Sequence, residues 1–149
     1  MDIKSSEARS RNMAAIRSKD TKPEIFFRQL LFAQGLRYRK NVSYIPGHPD
    51  LYLAKYHTAI FVHGCFWHRH AGCKYAYTPK SRQNYWNDKF NKNIERDRDV
   101  ACMLKEKKIK CLIVWECTIK KMARSSDIKD QVICKCIHFL NSAQTYFEI

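Results

Sequence analysis

The chain has 149 residues, 45% of them hydrophobic, which suits one domain around a single ordinary core and excludes a disordered polymer. No apolar run reaches the roughly eighteen residues of a membrane span, and the polar, charged start lacks a signal-peptide stretch, so a cytoplasmic protein without a membrane segment is expected. Twenty-eight Lys and Arg against fourteen Asp and Glu leave a net charge of +14, which points to a polyanion held by salt-sensitive phosphate contacts without saying which one.

Residues 1–20 are basic and polar, with Lys4, Arg9, Arg11, Arg17 and Lys19, and have no core-forming stripe. They read as an arm that lies on nucleic acid, as a flexible segment or short helix, or as a frayed terminus. A single domain is expected from residue 21 to 149. Thr21-Lys22-Pro23-Glu24 has the form of a capping box with Pro in the first turn. Behind it Ile25, Phe26, Phe27, Leu30, Leu31 and Phe32 predict a helix that Gly35 ends.

A strand follows from Tyr38 to Val42. Ile45-Pro46-Gly47-His48-Pro49 is turn chemistry, and Asp50-Leu51-Tyr52-Leu53 begins a second strand. Ala59-Ile60-Phe61-Val62 has the unbroken apolar run of a buried central strand. A Cys- and His-rich loop runs from Gly64 to about Lys80. The spacing of Tyr85, Trp86, Phe90, Ile94, Ala101 and Leu104 predicts a long helix over about 81–108. Ile109 to Trp115 is another strand, and a last helix is expected over about 126–140. No repeat or low-complexity linker interrupts this order.

Seven cysteines, an odd number and no secretory signal, argue against a disulfide framework and for metal ligation or core packing. Cys65, His68, His70 and Cys73 crowd one loop, with Cys117 beyond the later strand. Zinc favours mixed thiolate and imidazole in a tetrahedral set, so Cys65, His70, Cys73 and Cys117 are expected to close a structural zinc site. Cys111, Cys134 and Cys136 are expected to be core. That division leaves His63 and His68 free for other work.

Pro49-Asp50 at a strand start is a weak signal alone, because such pairs are commonly turns. A carboxylate there can hold Mg²⁺ against a scissile phosphate. Helix, three strands, helix, strand is the layout of the restriction-endonuclease-like core, in which Pro-Asp is followed on the next strand by Glu-x-Lys. The corresponding stretch here is Phe61-Val62-His63, without either residue. His63 and His68 are the expected replacements, able to polarise a phosphate and take a proton from water near neutral pH. Phe66 and Trp67 in the loop, with Tyr85 and Trp86 on the helix, are either core or a wedge for a base stack.

Five motifs carry a resemblance to a family. They are Arg9-Ser10-Arg11-Asn12-Met13 with Ala15-Ile16; Pro46-Gly47-His48-Pro49-Asp50; Ile60-Phe61-Val62-His63-Gly64-Cys65-Phe66-Trp67-His68; Asn93-Ile94-Glu95-Arg96-Asp97; and Val114-Trp115-Glu116-Cys117. Spread over residues 9–117, they closely resemble the bacterial very-short-patch repair (Vsr) endonucleases.

The resemblance implies an α/β nuclease with a central mixed sheet flanked by helices. It implies nicking 5′ to the thymine of a T:G mismatch left by deamination of 5-methylcytosine, and so a functional link to a DNA cytosine-5 methyltransferase. Asp50 would ligate Mg²⁺ together with the main-chain carbonyl of Val62, where the family pattern has Thr. His68 would be the general base, His63 would contact the phosphate, and Glu24 would hold metal-bound water; from position on the long helix, separately from the resemblance, Asp97 or Glu95 is expected to orient His68. Cys65, His70, Cys73 and Cys117 match zinc ligands; Phe66, Trp67 and Trp86 match a wedge inserted beside the mismatch. A monomer acting on duplex DNA is expected.

Two other classes compete. A sequence-specific restriction-type endonuclease on the same core would cut both strands of a matched site. A non-catalytic, zinc-stabilised DNA-binding module would explain the missing Glu-x-Lys. A zinc deaminase is disfavoured, because no His-x-Glu precedes a Pro-Cys-x-x-Cys.

Overall fold

The computed structural model describes Glu7 and residues 19–149. Apart from Glu7, Lys19 and Asp20, the basic arm therefore lies outside the described residues. The chain then runs through α1 (Lys22–Ala33), β1 (Arg39–Lys40), β2 (Leu51–Leu53), a 3₁₀ turn (Ala54–Tyr56) and β3 (Thr58–His63). It continues through α2 (Gln83–Glu106), β4 (Lys110–Trp115), α3 (Glu116–Arg124), α4 (Ser126–Leu140) and β5 (Tyr146–Glu148).

The strands form one mixed sheet in the order β1-β2-β3-β4-β5. β1, β2 and β3 pair antiparallel, as short connections allow; β3 with β4, and β4 with β5, pair parallel through helical crossovers. Strand alternation divides the core. Leu51, Leu53, Ile60, Leu112 and Val114 pack with Phe27 and Leu31 of α1, Ile119 and Met122 of α3, and Val132, Ile133, Cys136 and Phe139 of α4. Tyr52, Ala59, Phe61, Cys111, Ile113 and Trp115 pack with Leu104 of α2 and with Cys65 of the loop. By the same alternation Asp50 and His63 belong to the α2 face, whereas the Val62 side chain packs with the first cluster.

Local chemistry sets the element ends. Thr21 Oγ1 accepts from the Glu24 N–H at 3.4 Å and caps α1, and Gly35, at φ +84°, turns the chain out of it. The Ile45–Pro49 turn lies against α2 closely enough that a Cβ on Gly47 would stand 2.5 Å from Val100 Cγ1. At φ +81° that position suits glycine on conformational grounds as well. Lys110 Nζ, at the start of β4, donates to the carbonyls of Phe139, Leu140 and Ser142 and so closes the C-terminus of α4.

Several expectations need correction. The first strand is two residues long rather than Tyr38 to Val42, since only Arg39 and Lys40 pair with β2. The segment after Trp115 forms α3, broken from α4 at Ser125, whose hydroxyl caps α4 at Ile128. β5 was not expected; it exists by pairing with Cys111, Leu112 and Ile113. Cys111 and Cys136 are buried, but Cys134 faces solvent on α4 and is not core. On α1, Phe32 is likewise exposed.

Candidate active site

A cleft of about 910 Å³ opens on the α2 face of the sheet. Its wall includes Glu24 from α1, Asp50 from the start of β2, His63 from the end of β3, Trp67 and His68 from the loop, and Asp97 from α2. These residues come from five segments, and the sheet brings them together.

Asp50 Oδ2 accepts the main-chain N–H of Val62 at 2.7 Å across the β2–β3 pair. Burial pushes the Asp50 carboxyl up to about 7, against the lowering effect of that hydrogen bond, and the nearby Glu24 charge adds to the rise. A buried carboxylate beside a second acid is poised to be ionised by a cation. Glu24 is itself buried, at 6% exposure, and burial raises its carboxyl too. Its Oε2 accepts the N–H of Asp20, the residue before the N-cap Thr21, at 2.8 Å, and the side chain lines the cleft as well.

His63 and His68 stack face to face, centroids 3.7 Å apart and planes 4° from parallel. His68 Nδ1 meets Asp97 Oδ2 at 2.7 Å, both groups 30% exposed. Between the two carboxylates weighed as partners for His68, the fold selects Asp97; Glu95 points to solvent on the same helix. The contact fixes a tautomer with Nδ1–H donated, which leaves Nε2 as the acceptor. His63 is 8% exposed and edged by Trp115, and burial lowers its imidazole to about 3, with the His68 charge acting the same way. It is held neutral.

On the far side of the same loop, one ligand atom each from Cys65, His70, Cys73 and Cys117 lie within 4.8 Å of one another. His70 Nδ1 is 3.6 Å from Cys65 Sγ and 3.4 Å from Cys117 Sγ. The His70 ring stacks on Trp115 at 4.2 Å. Burial pushes the Cys65 thiol up to about 12, so a thiolate there needs a cation beside it. These four residues could hold a metal ion.

Phe66 contacts Trp67, Trp86 and Phe90 with centroids 5.0, 5.4 and 5.2 Å away. Phe90 is buried beneath, whereas Phe66, Trp67 and Trp86 are half-buried, so the cluster is anchored in the core and open at the surface.

Two residues that hold this loop were not singled out from the sequence. Arg69, at φ +56°, lies 3.9 Å over the Phe90 ring and donates to the carbonyls of Phe66, Ala76 and Tyr77 and to Thr78 Oγ1. Asn93 Nδ2 donates to the Trp67 carbonyl at 2.9 Å. The Asn93-to-Asp97 motif on one helix was visible, with Asp97 one of two candidates to orient His68, but not what Asn93 held.

Comparison with known proteins bears on the whole chain. A family model described as DNA mismatch endonuclease Vsr matches residues 1–74. The type II nicking enzyme V.NmeAIP of Neisseria meningitidis is 45% identical over 122 residues, 82% of this chain and 86% of that protein. The DNA mismatch endonuclease Vsr of Escherichia coli is 40% identical over 126 residues, 85% of this chain and 80% of that protein. The type II nicking enzyme V.XorIIP of Xanthomonas oryzae is 38% identical over 121 residues, 81% and 88% of the two chains.

Proposed function

The chain belongs to the Vsr family of DNA mismatch endonucleases, and from that premise we propose that it nicks duplex DNA 5′ to the thymine of a T:G mismatch. The observation that carries the reading is the conjunction in one cleft of a buried, cation-seeking Asp50 and a His68–Asp97 pair. The first suits a metal site beside a phosphate, and the second supplies a base next to it. Such mismatches arise when 5-methylcytosine deaminates, so a DNA cytosine-5 methyltransferase is the functional counterpart.

In this reading Asp50 and the Val62 main-chain carbonyl would hold Mg²⁺, and Glu24 would hold water at the same site. Bound there, the ion neutralises charge that develops on the phosphate. The Val62 side chain is packed away with the opposite-face cluster, so Val at this place leaves a main-chain contribution intact. His68 takes the proton of the attacking water at Nε2 while Asp97 stabilises the imidazolium through Nδ1. The neutral His63 ring, stacked on His68, keeps that ring in plane and presents its edge to the phosphate in the cleft.

Cys65, His70, Cys73 and Cys117 hold structural zinc. His70 Nδ1 lies 3.4 Å from Cys117 Sγ and 3.6 Å from Cys65 Sγ, and such a mixed thiolate and imidazole set would suit zinc. Four protein ligands close the site, which separates it from the catalytic ion. Phe66, Trp67 and Trp86 form the wedge that unstacks the duplex beside the mismatch.

Incubating T:G and fully matched duplexes in parallel with Mg²⁺ tests this. One nick confined to the thymine strand of the T:G duplex supports it. Two-strand cleavage of the matched duplex would establish the restriction-type alternative, and binding without cleavage the non-catalytic one.

A further inference from the structure

We propose that Asp20 is a positioning residue that fixes the spacing between Glu24 and Asp50, the two carboxylates of the cation site. This rests on the assignment of those two residues above. Asp20 stands just before α1 and is hydrogen-bonded both to α1 and to the segment after β1.

Its main-chain N–H donates to Glu24 Oε2 at 2.8 Å. Its Oδ1 accepts from Arg28 Nη1 of α1 at 2.7 Å and from Asn41 Nδ2 at 3.2 Å. Asn41 in turn donates its main-chain N–H to the carbonyl of Asp50 at 3.0 Å. A continuous chain of hydrogen bonds therefore runs from the Glu24 carboxylate through Asp20 and Asn41 to the backbone of Asp50.

Among the described residues, these hydrogen bonds link the first turn of α1 to the start of β2. Thr21 holds Glu24 from within the helix, and Val62 holds Asp50 from within the sheet. Each carboxylate is thus fixed to its own element, and Asp20 ties the two elements. Both links have left-handed backbone, Asp20 at φ +54° and Asn41 at φ +49°, a conformation that Asp and Asn tolerate better than most residues. The ion pair with Arg28 is 40% exposed on the Asp20 side, so it adds geometry rather than much stability. A divalent cation held by one acid, with its water held by a second, is sensitive to the separation of the two, and outer residues that orient ligands commonly set metal affinity.

The test uses the full chain with Asp20→Ala and Asp20→Asn, and Glu24→Gln as control. Single-turnover nicking of a T:G duplex and the magnesium-induced rise in melting temperature are each followed across a magnesium titration. With Asp20→Ala, both half-saturating concentrations should rise by about tenfold or more. The plateau rate and mismatch binding in EDTA should change far less. Asp20→Asn should show little of the shift, because its amide oxygen still accepts from Arg28 and Asn41.

Wild-type magnesium dependence in Asp20→Ala, or equal impairment in Asp20→Asn, would overturn the proposal. If Asp20→Ala does not fold, Asn41→Gly keeps the left-handed backbone, removes the amide and carries the same expectation. A shifted Glu24→Gln beside an unshifted Asp20→Ala sinks only the Asp20 proposal. An unshifted Glu24→Gln sinks the role given to Glu24 itself.

Discussion

His63 and His68 lie with their rings 3.7 Å apart and 4° from parallel, one at the end of β3 and the other in the loop, and only His68 is paired with a carboxylate. Two stacked imidazoles cannot both be charged cheaply. Burial keeps His63 neutral, lowered to about 3, so the member next to Asp97 is the one that can carry a proton.

His68→Ala should therefore cut single-turnover nicking by roughly a hundred- to ten-thousandfold. Asp97→Asn, which disturbs the tautomer but keeps the shape, should cost roughly ten- to a hundredfold. Binding of a T:G duplex measured by anisotropy should be unchanged in both. Wild-type rates in His68→Ala would remove it from the mechanism.

Asp50 makes stability depend on pH with a definite sign. Its carboxyl is raised from 3.8 to about 7, so its contribution is fully present below pH 3.8 and is lost as pH rises through about 7. His63 is lowered from 6.5 to about 3, so its contribution is present above pH 6.5 and is lost as pH falls towards 3. Between those limits the two oppose each other. Asp50→Asn isolates the first: without magnesium it should exceed the wild type by a few kcal/mol at pH 8, with the gap narrowing by more than half at pH 5 and closing only below pH 3.8. Urea unfolding at both pH values measures this, and a gap that does not change with pH would contradict it.

Much of the site was legible in the sequence, for reasons of periodicity. Alternation along β2 and β3 sends Asp50 and His63 to one face, and the Cys and His spacing of one loop marks a ligand set. Asp97 and Glu95 could not be separated that way. They lie about 200° apart around a helix, and only the packing of α2 on the sheet decides which one faces His68. α3 was hidden because its Ile119 and Met122 follow directly on the apolar run of β4. β5 has three residues and a half-exposed pattern, so nothing but its partner β4 marks it as a strand. The Asp20–Asn41 link joins side chains distant in sequence and has no local signature.

Cys117→Ala removes a ligand supplied by the first turn of α3 to a set otherwise built from one loop. Purified wild-type protein should hold about one zinc per chain, and the variant much less, with a lower melting temperature. Elemental analysis beside a thermal melt reads both. Zinc near zero in folded wild-type protein would defeat the structural-zinc assignment.

Trp67→Ala should leave zinc content and matched-duplex binding in place but weaken binding to a T:G duplex. A lost base–aromatic stack corresponds to about 1–3 kcal/mol, or roughly five- to a hundredfold in Kd. Equal losses on matched and mismatched DNA would show that the Phe66, Trp67 and Trp86 cluster packs the loop without reading the mismatch.

The most direct measurement is to map the product ends formed on a duplex with a single T:G pair, each strand end-labelled in turn, with magnesium present. The expected result is one break, at the phosphate 5′ to the thymine, absent from the T:A duplex and absent with Asp50→Ala. Breaks in both strands of the matched duplex, or an undiminished break with Asp50→Ala, would contradict it.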